Sequence, residues 1–140
     1  MSNDAVKQYL RLALGTDGAP GAVPRDISVD DSVDATLAAL SVALDKIFLE
    51  DPEPVEISAL VGRIREVWVK PETLDPVLAE RIILAIYGED ELMDDVGSAD
   101  LVVTENLITY GILHESGISE EAFEYFLDEV VDLMNEPVDN

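Results

Sequence analysis

Apolar residues recur along most of this chain at intervals of three and four, the spacing that puts them on one face of an α-helix. Val6, Tyr9, Leu10 and Ala13 form the first such face, and Gly15 stands where a helix C′ residue is expected. Residues 15–28 carry three glycines and two prolines and read as a flexible loop. Val33, Leu37, Leu40, Leu44, Ile47 and Phe48 predict a second helix, capped by Asp31 or Ser32 and stopped by Asp51-Pro52. Ile57, Leu60, Val61, Ile64, Val67 and Trp68 predict a third that ends at Lys70-Pro71, with Trp68 in the core.

Asp75-Pro76 has the form of an N-cap followed by proline at the first helical position. From Val77 to Tyr87 the chain is apolar on nearly every side, and Gly88 closes the segment. Ser98 to Leu113 is similar, with Leu101, Val102, Val103, Leu107, Ile108, Tyr110 and Ile112 leaving little polar face. All-round apolarity predicts two helices, over 76–87 and 99–113, at the centre of the fold. A short hairpin over 101–110 is the alternative for the second, because Val102-Val103-Thr104 and Ile108-Thr109-Tyr110 are strand-prone. Ser119 predicts the N-cap of a last helix, with Glu120 and Glu121 favouring its dipole and Ile118 and Phe123 placed as a hydrophobic staple. Phe123, Phe126, Leu127, Val130, Val131 and Met134 form its stripe, Pro137 ends it, and residues 136–140 read as a frayed tail. The expectation is an all-α protein, a single compact domain of five or six helices over residues 1–140, with no internal repeat.

Charge changes this picture more than any motif does. The 140 residues hold 31 acids and 8 bases, a formal net charge of -23. That balance excludes nucleic-acid binding by phosphate neutralisation and docking on an anionic membrane. All eight bases lie at or before Arg81, so residues 82–140 carry 16 acids and no Lys or Arg. Two clusters stand out. One comprises Glu89, Asp90, Glu91, Asp94 and Asp95. The other runs along the last helix as Glu120, Glu121, Glu124, Asp128, Glu129 and Asp132. Carboxylates at 120, 124, 128 and 132 stack at four-residue spacing with no basic neighbour, and like charges at that spacing repel. Tyr125 falls among them, away from the apolar stripe, where it resembles an interface anchor.

The catalytic options are few. The absence of cysteine removes disulfides, thiolate metal sites and cysteine nucleophiles. The single imidazole, His114, suits a helix C-terminus and cannot build a multi-His metal site. Neither a phosphate-binding glycine loop nor a nucleophile elbow occurs, and no EF-hand register fits Gly97. Glu120-Glu121-Ala122-Phe123-Glu124 resembles the Glu-Glu-x-x-Glu element of all-α nucleotide pyrophosphohydrolases. The second acidic element that resemblance implies, a Glu-x-x-Asp on a separate helix, falls at Glu129 to Asp132 on the same helix.

The sequence therefore points to a non-catalytic protein without cofactor or metal. It would cover a basic surface of another protein, as an immunity or antitoxin-type inhibitor or as a nucleic-acid mimic. The expected contact residues are Glu120, Glu121, Glu124, Tyr125, Asp128 and Asp132, followed by Asp90, Glu91, Asp94 and Asp95. Two alternatives stay open. One is a small helical structural or oligomeric factor whose acidity suits a salt-rich cytoplasm; the other is an enzyme with a carboxylate-bound metal. A homo-oligomer is compatible with either binding reading. The N-terminus, Met1-Ser2-Asn3-Asp4, lacks the basic and apolar regions of a signal peptide, and no apolar run is long enough to span a bilayer. A cytoplasmic protein is expected.

Overall fold

The computed structural model describes residues 3–14, 28–88 and 97–136. The Gly15 cap, nearly all of the 15–28 loop, the acidic cluster at 89–95, Pro137 and most of the 136–140 tail lie outside them. The described residues form six α-helices: α1 (Asn3–Leu14), α2 (Val29–Ile47), α3 (Pro54–Arg63), α4 (Pro76–Ile86), α5 (Ser98–Glu115) and α6 (Glu120–Met134). The fold is all-α, as the periodicity requires. Residues 98–115 form one continuous helix, so the hairpin alternative is not realised.

The caps explain where the helices begin. The Ser28 side chain accepts the Asp31 N–H, so α2 starts before both residues expected to cap it, and Ser32 is buried inside the helix instead. Glu53 and Glu56 satisfy each other's backbone N–H groups in a capping box ahead of α3. The Asp75 carboxylate accepts from Val77 and Leu78, and the Ser119 hydroxyl accepts from Ala122. These last two are the caps the sequence announces.

The helices share one apolar core, built on the pair α2 and α5. The α1 and α6 helices pack against each other and both against α2, while α4 and the end of α3 cover the opposite side of α5. Two expectations are corrected here. The segment over 76–87 is not central: α4 buries Ala79, Ile82 and Ile83, and the rest of its surface is partly or fully open, because its main packing is against α3 and α5 alone. The central partner of α5 is α2, whose Ala35, Ala39, Ala43 and Thr36 are all at 0% exposure. Small residues allow the two backbones to come close. Leu37, expected in the core, lies off this buried face and is left 44% exposed.

The third helix changes character at Ile64. There the hydrogen bonding lengthens to a π-helical turn over Ile64–Trp68, closed by the Val69 N–H donating to the Ile64 carbonyl at 3.1 Å. The wider turn rotates the stripe out of its α-helical register. Val67 is consequently 63% exposed, and Trp68 lies half-buried outside the core cluster, correcting both expectations. Gly111 of α5 meets this turn: a Cβ placed there would lie 2.6 Å from Ile64 Cγ2. Arg65 then ties the π-turn to the link ahead of α4, donating to the carbonyls of Leu74 and Pro71.

Candidate binding surface

The α6 helix is amphipathic by sequence, and the fold uses it that way. Phe126, Leu127, Val130 and Val131 are buried, with Phe123 and Met134 packed partly against the core. Glu121, Tyr125, Asp128 and Asp132 follow at intervals of three and four on the opposite face, and all are exposed. Tyr125 is 64% exposed.

The acids of α6 are not equivalent, and here the structure overturns a sequence-based expectation. The stacked carboxylates have basic neighbours after all, supplied by the first two helices. Arg11 of α1 grips Glu124 with two hydrogen bonds, Nη2 to Oε1 at 2.6 Å and Nε to Oε2 at 3.1 Å. Lys7, one turn earlier on α1, pairs with Asp128. Lys46 of α2 pairs with Glu129 at 2.9 Å. The hydrogen bond from Arg11 holds the Glu124 carboxyl below its ordinary range and raises the guanidinium in turn; Asp128 likewise raises Lys7 by its hydrogen bond. Each pair is solvent-accessible, so its main effect is orientation, with a small contribution to stability.

The α6 surface therefore divides in two. Glu124, Asp128 and Glu129 are paired with bases of α1 and α2 and so neutralised within the chain, Asp128 on the outward face itself. Glu120, Glu121, Tyr125 and Asp132 make no ion pair among the described residues and point outward. Of the six α6 contact residues expected from sequence, the fold keeps these four on an open acidic face. Asp90, Glu91, Asp94 and Asp95 lie outside the described residues. No group of three or more His, Asp or Glu side chains among the described residues is arranged to hold a metal ion.

Two further features were not picked out from sequence. Buried between helices is a polar network in which the Tyr9 hydroxyl of α1 meets Thr36 Oγ1 of α2 at 2.6 Å and accepts from Asn106 Nδ2 of α5 at 2.9 Å. Beside Asn106, Glu105 is 2% exposed with its Oε1 unpartnered, and burial pushes its carboxyl up to about 8. A charged residue between Val103 and Leu107 was the available signal, since a helix with no polar face must bury it. The second feature is aromatic. The His114 ring lies 4.1 Å from Tyr110 and 6.2 Å from Trp68, beside an Arg63–Glu115 ion pair at 2.7 Å. His114 is thus in the last turn of α5, where the dipole favours it, and also in a half-buried aromatic group.

Comparison with known protein families, curated proteins and solved structures finds no match for this chain. None of the helices is long and apolar enough to cross a membrane among the described residues.

Proposed function

We propose that this chain is a non-catalytic binding protein whose acidic surface covers a basic surface of another protein. The observation that carries the reading is the outward face of α6. Tyr125 stands there, largely exposed, between Glu121 and Asp132, in a stretch of chain with no Lys or Arg after Arg81. An exposed aromatic ring inside a ring of carboxylates combines an anchor with a steering field: charge brings a basic partner in, and the ring supplies contact area. Where the partner's basic surface itself serves nucleic acid, these carboxylates stand in for phosphates, and binding inhibits it. The intramolecular ion pairs are compatible with the reading: on the outer face they take up Asp128 alone and leave Glu121 and Asp132 without a base among the described residues.

The test is capture from the host lysate on immobilised protein, eluted in steps from about 0.1 to 1 M salt, over which the Debye length falls from roughly 10 to 3 Å. The expected result is one basic protein leaving at a defined step and lost from Tyr125→Ala and from Glu121→Lys with Asp132→Lys. These positions are preferable to Glu124, whose replacement would also release Arg11. Many basic proteins leaving together at low salt, unaffected by the substitutions, would reject the reading and leave the acidity as a solvated surface.

A further inference from the structure

The side of α6 adjoining the acidic ridge is not covered. Between α2 and α6 runs an open groove of about 310 Å³, lined by Asp34, Leu37, Ala38, Ser41, Leu133 and Met134. Its floor is apolar, and two of its leucines are open to solvent: Leu37 is 44% and Leu133 40% exposed. Acid rims it chiefly on α2. On α2, Asp30 and Asp45 extend the row of Asp34 and Ser41 by one turn at either end, and all three aspartates are exposed. Glu129 lies one turn before Leu133 on α6, and Glu136 follows three residues after it, past the end of the helix. The base nearest in the chain, Lys46, is taken by Glu129.

We infer that this α2–α6 groove is the seat of a basic amphipathic helix of the partner, with its apolar stripe on Leu37, Ala38, Leu133 and Met134 and its lysines or arginines over the acidic rim. The inference rests on the binding reading above and gives it a place and a partner shape. Charge complementarity selects the occupant. A second copy of this chain would bring acid against acid, which costs binding, whereas a basic helix meets opposite charge along the aspartates of the α2 edge and at Glu136 beside an apolar trough. Two helices packed side by side also form the kind of trough into which a third helix fits.

The probe is a synthetic helical peptide of about 18 residues, long enough to hold a helix, with leucines at three- and four-residue spacing and lysines elsewhere. A matched peptide carries glutamates in place of the lysines. Titrations are followed by backbone amide shifts at about 0.15 M salt. The lysine peptide is expected to shift the amides of Leu37, Ser41 and Leu133. It should bind at least tenfold, roughly, more tightly than the glutamate peptide, and the double variant Leu37→Ala/Leu133→Ala should weaken it by about tenfold. Both leucines are partly exposed, so the variant should keep its Tm and report on binding alone. No binding of the lysine peptide, or shifts confined to the Tyr125 ridge with the leucine variant unaffected, would overturn the groove; the ridge outcome would leave the charge-based function standing. Equal affinity for both peptides would overturn the groove and count against that function as well. A concentration-dependent dimer abolished by the leucine variant would seat a second copy there and overturn the inference.

Discussion

Glu105 sets the most specific behaviour at the scale of one residue. Its carboxyl is raised from 4.5 to about 8 by burial, so the folded chain holds a proton that the unfolded chain releases. Raising pH through that interval therefore removes stability, by linkage several kcal/mol in total. Thermal unfolding should show Tm falling as pH rises from about 5 to 8.5, and Glu105→Gln should flatten the profile and unfold at the higher temperature at the alkaline end. Glu124 works at the opposite end: its carboxyl is lowered, so the stability it adds is present above the ordinary glutamate range and lost as pH falls through its own value. Tyr9 offers a second measurement. Replacing it by Phe removes the hydroxyl that meets both Thr36 and Asn106, leaving buried polar groups unpaired at a cost of about 1–3 kcal/mol in chemical denaturation. A Tyr9→Phe protein as stable as the parent would mean that water or rearrangement takes over those bonds.

At the scale of elements, the decisive contact is Gly111 against Ile64. Alanine at 111 gains up to about 1 kcal/mol in helix propensity but drives its methyl into a β-branched side chain that cannot swing away. Overpacking of this kind costs about 1–3 kcal/mol, so Gly111→Ala should lower stability, and Gly111→Ala with Ile64→Ala should lose less than the sum of the two single changes. Strict additivity would show that the helices move apart freely. This contact also marks where the sequence stopped being readable. Helix positions were legible because spacing and cap chemistry are local: Asp75-Pro76 and Ser119 begin helices where they should. The buried face of α2 was not, because it depends on how closely alanines let α5 approach. Nor was the π-turn, which shifts Val67 and Trp68 outward by adding a residue to one turn while leaving the apolar spacing intact. The outward placement of Glu121, Tyr125 and Asp132 followed from spacing alone. The neutralisation of Glu124 and Asp128 did not, since Arg11 lies 113 residues from Glu124 in the chain.

Across the whole molecule, a net charge of -23 opposes compaction, and ions in solution screen that repulsion. Added KCl should therefore raise Tm even though it weakens the four surface ion pairs found among the described residues, because many like-charge contacts outnumber them. Full stability at low salt with no further gain would instead indicate that the charges are spaced widely enough for water to suffice. The Lys7→Ala/Arg11→Ala variant should show a larger gain from salt than the parent, since it returns Glu124 and Asp128 to the unneutralised set; equal salt slopes would show that α1 does not offset the field of α6.

The grip of Arg11 on Glu124 also has a bearing on time. Translation delivers Arg11 first and its partner Glu124 113 residues later, which at about 5–20 residues per second is a wait of roughly 6–23 s. For most of that interval the apolar face of α1, with Val6, Tyr9, Leu10 and Ala13, has α2 available but not α5, and α6 comes last of all. The newborn chain is at its stickiest while it is least acidic, and its repellent surface arrives together with the helix that closes the core.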